Sequence, residues 1–306
     1  MAKPRFSPAG ALLGAAIALL PLARAMAAQD LPGQPVAFPS HGANLQGRFF
    51  RAPGAGTHPT LLLLHGYPGG PGDVLGLGTA VSGAGWNALV FNYRGFHGSE
   101  GRSTPLNSME DVGAALTFLR DSAPALRVDT GRIAILGYSY GGWLALMTGG
   151  RPAAVKCVAL VAPGNLALHS PATERDTVVL AAVRRSIEGP ILAGRIRSMP
   201  YDSLVAYMRE HGPDLDSTHH AAELAGKPVL VVGGWNDRLA NLGEFVLPVV
   251  RALRAAGNTR VTPVTLDDDH AFRATRAELH HVVLDWLEDA CARGGQRLAP
   301  TAPPAR

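Results

Sequence analysis

The sequence predicts an α/β fold with a mostly parallel, eight-stranded sheet flanked by helices. Short apolar runs alternate with amphipathic segments, and several runs are continuous, notably residues 61–64 (LLLL) and 229–232 (VLVV). A continuous apolar strand is covered on both faces, as in a parallel sheet between two layers of helices. Composition agrees, since 47% of the 306 residues are hydrophobic and 17% are charged. These values exclude a disordered chain, a coiled coil and a polytopic membrane protein.

The first 27 residues are typical of a secretory signal peptide. Basic residues precede an uncharged apolar stretch at residues 9–23, and small residues then stand at Ala25 and Ala27. This is the layout of a leader cleaved after Ala25 or Ala27. The prediction is an exported protein, periplasmic or secreted, whose mature part (residues 28–306) forms one domain without membrane attachment.

Charge argues against a nucleic-acid partner. The formal net charge is +4, and the leader holds three of the basic residues and no acid, so the mature chain carries +1. Elsewhere no Lys- or Arg-rich run is interleaved with aromatic residues. The sequence leaves the oligomeric state open.

The apolar pattern places the individual strands and helices. Strands are predicted at Val36–Phe38, Leu45–Arg51, Thr60–His65, Asn87–Tyr93, Arg132–Tyr138, Val155–Val161, Pro228–Gly233 and Arg260–Leu266. Helices are predicted at Ser108–Ser122, Thr173–Ser186, Tyr201–Glu210, Leu242–Ala255 and Thr275–Ala292. The first two begin at S/T-x-x-D patterns, which are typical of capping boxes.

One interval interrupts the alternation of strands and helices. Residues 165–227 separate the sixth and seventh predicted strands, which is far longer than a usual crossover. This interval leaves the carboxyl end of a strand, where α/β folds bind their ligands. We therefore expect a short helical cap inserted after strand 6, with a modest apolar pocket beneath it.

A G-x-S-x-G motif carries the clearest chemical signal. Residues 137–141 (GYSYG) lie between a predicted strand and a helical segment, which is the setting of a nucleophile elbow. Glycines are required there because the turn is tight and side chains on either side would collide. The motif predicts Ser139 as the nucleophile, at the positive end of a helix.

A serine hydroxyl needs a base, and the base needs a carboxylate that orients it. Asp237 follows the seventh predicted strand, and His270 follows the eighth. The chain order Ser139, Asp237, His270 is the one expected for this architecture. Asp267–Asp269 directly precede His270 and offer an alternative acid or a metal site. A solvated acidic turn is the preferred interpretation, with no metal predicted.

Two backbone N–H groups are the expected oxyanion donors. One belongs to Tyr140, the residue after the nucleophile. The other is expected from the Gly-rich loop at residues 65–70 (HGYPGG), at Tyr67, since Pro68 has no N–H. His65 is interpreted as a residue that shapes this loop by hydrogen bonding.

The two cysteines give no firm prediction. Cys157 lies in an apolar run and Cys291 in a C-terminal helical segment. They could pair in an oxidising compartment, but two separate, half-buried thiols are the preferred interpretation. Their spacing does not match a metal site.

The sequence resembles the α/β-hydrolases, in the branch of the dienelactone-hydrolase-like and prolyl-oligopeptidase-like serine hydrolases. The matching motifs are HGYPGG (65–70), NYRGFHGSEG (92–101), GYSYGG (137–142), GGWND (233–237) and DHAF (269–272). The resemblance implies the α/β-hydrolase fold and a Ser–His–Asp hydrolase without metal or organic cofactor. A small-molecule ester is the favoured substrate. An exopeptidase or amidase is the alternative, and a non-catalytic binding scaffold is a further one.

Overall fold

The computed structural model describes residues 32–70, 72–167 and 176–292. Its strands are β1 Gln34–Ser40, β2 Ala43–Phe50, β3 His58–Leu64, β4 Asn87–Phe91, β5 Val128–Tyr138, β6 Val155–Val161, β7 Val229–Gly234 and β8 Val261–Leu266. All eight predicted strands are present, with bounds that differ by up to four residues. The predicted leader, residues 1–27, lies outside the described residues.

One mixed sheet contains all of these strands. Their order is β1-β2-β4-β3-β5-β6-β7-β8. β1 pairs antiparallel with β2, and β2 pairs antiparallel with β4. Every other neighbouring pair is parallel. The predicted mostly parallel, eight-stranded sheet is therefore confirmed.

Helices pack on both faces of this sheet. They are α1 Leu77–Gly83, α2 Pro105–Asp121, α3 Ala123–Leu126, α4 Tyr140–Gly149, α5 Thr177–Leu192, α6 Tyr201–Glu210, α7 Gly212–Leu215, α8 Leu247–Ala255 and α9 Arg276–Trp286. A 3₁₀ helix spans Ser217–Leu224, and π-helical turns span Leu242–Val246 and Leu287–Ala292. Within the described residues, no helix combines the length and apolar character that crossing a membrane requires.

The run LLLL in β3 shows why the sheet is buried on both sides. Successive side chains of a strand point to opposite faces. Leu62 and Leu64 accordingly join the core beneath α2 and α4, whereas Leu61 and Leu63 join the core beneath α1 and α9. All four leucines are fully buried. The continuous apolar runs thus predicted the two-layer covering correctly.

Two predicted capping boxes are wrong. Helix α2 begins three residues before Ser108, because the Thr104 side chain accepts the Asn107 N–H and Pro105 takes the first helical position. Helix α5 begins after Asp176, whose carboxylate accepts the N–H groups of Val178 and Val179. The other predicted capping residue there, Thr173, lies outside the described residues.

The preference for separate thiols is also wrong. Cys157 of β6 and Cys291 near the C-terminal end of the described chain form a disulfide, with 5.8 Å between their Cα atoms. The two residues are 134 positions apart in the sequence. The bond therefore ties the central sheet to the C-terminal helical segment.

Candidate active site

Ser139 occupies the sharp turn between β5 and α4. Its φ of 55° and ψ of −114° lie where non-glycine residues are uncommon. The Ser139 N–H donates to the carbonyl of Val161 at 2.9 Å, and the Ser139 carbonyl accepts the Trp143 and Gly164 N–H groups at 3.1 Å. The surrounding backbone therefore holds this strained residue in place.

The glycines of the motif are required by close backbone contacts. A Cβ atom on Gly137 would stand 1.9 Å from the Gly141 carbonyl oxygen. A Cβ atom on Gly141 would stand 2.1 Å from the Leu64 carbonyl oxygen. Both distances are far inside van der Waals contact, so any side chain would push the turn away from β3. The glycine spacing that predicted the turn thus has a direct steric cause.

The structure brings Ser139, Asp237 and His270 together. His270 Nε2 lies 2.9 Å from Ser139 Oγ. His270 Nδ1 lies 2.7 Å from Asp237 Oδ2. An ionised carboxylate only accepts hydrogen bonds, so Nδ1 carries the proton and Nε2 is free to accept the serine hydroxyl. This is the arrangement of a nucleophile, a base and an orienting acid.

Asp237 is held by the loop after β7. Its Oδ1 atom accepts the N–H groups of Leu239 and Ala240 at 2.8 and 2.9 Å, while Oδ2 faces His270. The residue is 3% exposed. Hydrogen bonds to both oxygens stabilise the buried charge and fix the direction in which Oδ2 points.

The neighbouring strands β7 and β8 place the acid beside the base. They pair in parallel, so the loops after them emerge at one edge of the sheet. The Asn236 N–H donates to the Asp268 carbonyl, and the Tyr138 hydroxyl donates to the His270 carbonyl at 2.9 Å. These contacts join the acid loop, the histidine loop and the nucleophile turn.

The Asp-rich turn before His270 is only partly solvated, which corrects the sequence interpretation. Asp267 and Asp269 are exposed, but Asp268 is buried. The Asp268 carboxylate accepts the N–H and hydroxyl of Thr275 at 2.8 and 3.0 Å. It therefore anchors the start of α9, and Asp237 is the carboxylate in contact with His270.

The predicted oxyanion donors lie at the expected edge of the sheet. Tyr140 is the first residue of α4, where backbone N–H groups have no partner within the helix. A Cβ atom on Gly66 would stand 3.1 Å from Ser139 Cβ, so the loop of residues 65–70 passes directly beside the nucleophile. Tyr67 lines the cavity that also contains Ser139 and His270. The role of either N–H as a donor stays a prediction.

A cavity of about 320 Å³ opens onto Ser139 and His270. Among the described residues that line it, none is Asp, Glu, Lys or Arg. Helices α5 and α6 supply Val183, Ser186, Ile187, Tyr201, Leu204, Val205 and Met208. The rest of the wall is Tyr67, Ser103, Pro105, Tyr140, Leu166, Ser198, Leu239, Ala240 and Phe245. The predicted interval 165–227 thus contributes much of the wall of an apolar cavity.

The comparison with protein families agrees with this architecture. A family model described as the alpha/beta hydrolase fold matches residues 59–186, a span that runs from β3 through the nucleophile turn into α5. Over these residues the chain is similar to that family, and its eight-stranded sheet has the α/β-hydrolase fold. The uncharacterized protein Rv2307c of Mycobacterium tuberculosis is 29% identical over 208 residues, which are 66% of this chain and 62% of that protein. The match thus spans about three fifths of the relative's length.

Solved structures share the fold of this chain at low sequence identity. An esterase of Pyrococcus furiosus has a TM-score of 0.65 and 18% identity, with 85% of this chain and 92% of that chain covered. An acylaminoacyl peptidase of Pyrococcus horikoshii has a TM-score of 0.65 and 17% identity, with 88% of this chain and 44% of that chain covered. These likenesses show the fold, and the neighbours include both an esterase and an acylaminoacyl peptidase.

The Tyr67 and Tyr140 phenols of the cavity carry no charge. Burial raises the pKa of Tyr67, with Ser198 acting weakly in the opposite direction. Burial also raises the pKa of Tyr140 well above its ordinary value. Both side chains therefore stay protonated at any pH near neutrality. Among the described residues, the wall around Ser139 is thus mainly apolar. Its polar side-chain atoms are hydroxyl groups and the ring nitrogens of His270.

Sequence reasoning missed several contacts of the candidate site. The Leu239 and Ala240 N–H groups that hold Asp237 carry no side-chain signal. The contact between His97 Nε2 and the Pro68 carbonyl, at 2.9 Å, joins two loops that are far apart in the sequence. Among the described residues, no group of three or more His, Cys, Asp or Glu side chains could hold a metal ion.

His65 shapes the loop of residues 65–70 from within the core. Its Nδ1 atom lies 2.7 Å from the Gly66 carbonyl, and its ring lies 4.2 Å from the Tyr93 ring. A Cβ atom on Gly69 would stand 2.4 Å from the His65 ring, so the loop folds tightly around the imidazole. Burial lowers the pKa of His65 from 6.5 to about 4, against the hydrogen bond to Gly66, which raises it.

This shift predicts a loss of stability in acid. The unfolded chain binds a proton at His65 below pH 6.5, whereas the folded chain binds it only near pH 4. The free energy of unfolding therefore falls by roughly 2–3 kcal/mol as the pH falls from 6.5 to 4. We expect His65→Asn to be less stable than the natural protein at pH 7, with a difference that shrinks by this amount at pH 4. Urea unfolding at both pH values measures it.

The control for this measurement is His281→Gln, which changes an exposed histidine on α9. Its unfolding free energy should follow the natural protein at both pH values. An unchanged difference between His65→Asn and the natural protein from pH 7 to pH 4 would show that folding does not shift the pKa of His65.

Proposed function

We propose that this protein hydrolyses carboxylic esters through a Ser139 acyl-enzyme. The observation that carries the proposal is the continuous chain of hydrogen bonds from Asp237 through His270 to Ser139 Oγ. Similarity to the alpha/beta hydrolase family supports a hydrolase, and the three side chains supply the nucleophile, the base and the orienting acid that ester cleavage needs.

The proposed reaction has two steps. Ser139 Oγ attacks the ester carbonyl carbon while His270 Nε2 takes the hydroxyl proton. The tetrahedral oxyanion is held by the N–H groups of Tyr140 and Tyr67. As it collapses, His270 returns the proton to the alcohol that leaves. Water then attacks the acyl-enzyme with His270 again as base, which releases the carboxylic acid and restores Ser139.

The described residues of the cavity wall include no acidic side chain, which favours an ester over an exopeptidase substrate. An exopeptidase that binds a free amino group needs a carboxylate near the nucleophile. Asp176 instead caps α5 and pairs with Arg238, and Glu188 lies 3.7 Å from Arg184. Neither lines the cavity. Glu174, the third acid that the sequence offered, lies outside the described residues.

A substrate panel tests the proposal. We expect p-nitrophenyl acetate, butyrate and octanoate to be hydrolysed, and aminoacyl p-nitroanilides to be left intact. A fluorophosphonate probe should label the natural protein at Ser139 and leave Ser139→Ala unlabelled. Preferential cleavage of the anilides would favour a peptidase. Absence of both turnover and labelling would favour a binding scaffold.

We also propose that the mature protein acts outside the cytoplasm. The leader-like residues 1–27 support this. The Cys157–Cys291 disulfide adds independent support, since disulfides persist mainly in oxidising compartments. An intact mass that lacks the first 25 or 27 residues, measured on protein from the periplasm or the medium, is the expected result. Recovery of the full-length chain only from the cytoplasm would contradict export.

A further inference from the structure

We infer that His97 is a positioning residue for the oxyanion loop, which we define as residues 65–70. The inference builds on the proposed function, because it assigns the Tyr67 N–H of that loop to the oxyanion. His97 is far from the catalytic residues in the sequence and does not line the cavity. Its part in catalysis is to hold the loop, through one hydrogen bond, where Tyr67 can donate.

The oxyanion loop needs a support beyond its own residues. It leaves β3 and passes beside Ser139, where a Cβ atom on Gly66 would stand 3.1 Å from Ser139 Cβ. Its glycines restrict the backbone weakly. Pro68 has no N–H, so the residue next to Tyr67 can be tied to the fold only through its carbonyl or its ring. An outside donor to that carbonyl therefore fixes the peptide group between Pro68 and Gly69, one residue beyond Tyr67.

His97 supplies this donor. Its Nε2 atom lies 2.9 Å from the Pro68 carbonyl oxygen. A carbonyl only accepts hydrogen bonds, so the Nε2 atom carries the proton. The ring can donate from Nε2 whether it is neutral or protonated, and the support therefore does not depend on pH. The ring of Phe96, the residue before His97, packs edge-on against the Tyr67 ring, with 5.3 Å between the ring centroids.

The backbone of His97 is itself fixed at both polar groups. Its N–H donates to the Arg195 carbonyl at 2.9 Å, in the segment that follows α5. Its carbonyl accepts Asn92 Nδ2 at 3.2 Å. The residue has a φ of 37°, which is a left-handed conformation. This conformation is uncommon for residues other than glycine, although asparagine, aspartate and histidine adopt it more often than the rest. A histidine held this firmly in an unfavoured conformation provides a rigid support for the oxyanion loop.

The inference is tested with a pair of variants. His97→Asn keeps a side chain that tolerates the left-handed backbone, but its amide is too short to reach the Pro68 carbonyl. His97→Gln has the reach and a donor in place of Nε2. For p-nitrophenyl butyrate we expect His97→Asn to lower kcat about tenfold, because misplaced catalytic groups slow the reaction steeply. KM should stay within about twofold. His97→Gln should restore most of kcat.

A transition-state analogue separates positioning from a merely structural role. Ser139 adds to the carbonyl of a short alkyl trifluoromethyl ketone, and the resulting oxyanion occupies the position of the reaction intermediate. Its inhibition constant should rise about tenfold in His97→Asn, in parallel with the fall in kcat. A role confined to stability would lower the melting temperature and leave this constant unchanged for each folded molecule.

The controls keep the outcomes distinct. The burst of p-nitrophenol counts competent sites, so kcat is expressed per active molecule, and His281→Gln controls for loss of an exposed histidine. Should His97→Asn not fold, His97→Phe removes the donor at similar ring size. Equal kcat in the natural protein and the donor-less variant, or equal loss in His97→Gln, would overturn the inference. No turnover by the natural protein would instead overturn the proposed function.

Discussion

Replacing Ser139 by alanine should lower kcat for p-nitrophenyl butyrate by about 10⁵- to 10⁶-fold, the scale reported when a nucleophile of this kind is removed. His270→Ala should cost nearly as much, because the hydroxyl at 2.9 Å from Nε2 then has no base. The double variant should be hardly slower than either single one, since the two groups act as a unit. Steady-state kinetics with enzyme free of host esterases measures all three.

Asp237→Asn should lower kcat by less than Ser139→Ala does. The amide keeps an oxygen that can accept the Leu239 and Ala240 N–H groups, but facing His270 it favours the wrong tautomer. The expected loss in kcat is on the order of 10⁴-fold. Asp267→Asn is the matched control, because Asp267 is exposed and bonds to Asn236. A large loss in Asp267→Asn with little loss in Asp237→Asn would contradict the assignment of Asp237 as the carboxylate that orients His270.

The sheet could be predicted because its signal is local. A buried strand between helical layers must be apolar on both faces, and the runs at 61–64 and 229–232 satisfy this in four residues each. The signal of the nucleophile turn is partly local as well, since a Cβ atom on Gly137 would collide with the Gly141 carbonyl of the same turn, whereas Gly141 is required by Leu64 of the distant strand β3. Structural features that a few neighbouring residues determine can therefore be predicted from those residues.

The incorrect predictions all depend on distance or on competing local signals. Thr104 and Ser108 are both suitable N-caps, and Pro105 decides for the first of them. The Cys157–Cys291 bond joins residues whose proximity depends on the packing of the C-terminal segment. The contact between His97 and Pro68 likewise exists only after two loops have met. Tertiary contacts of this kind leave no periodic trace in the sequence.

Asp111→Ala should lower the free energy of unfolding by about 3–5 kcal/mol, because it leaves the buried Arg94 guanidinium without its main partner. The Asp111 carboxylate is fully buried and accepts Arg94 Nε at 2.7 Å, the Arg94 N–H at 2.8 Å and Ser40 Oγ at 2.6 Å. It thereby joins α2 to the loop after β4 and to the end of β1. Urea unfolding at pH 7, with the disulfide intact, measures the loss.

Glu110 is the matched control, because it pairs with the same guanidinium while its side chain is 45% exposed. Glu110→Ala should cost less than about 1 kcal/mol. The double variant Arg94→Met, Asp111→Leu should be more stable than Asp111→Leu alone, since it removes the uncompensated charge together with its partner. The Arg94 N–H loses its acceptor in both, so the comparison isolates the side-chain pair. Equal losses for Glu110→Ala and Asp111→Ala would mean that burial adds nothing to this ion pair.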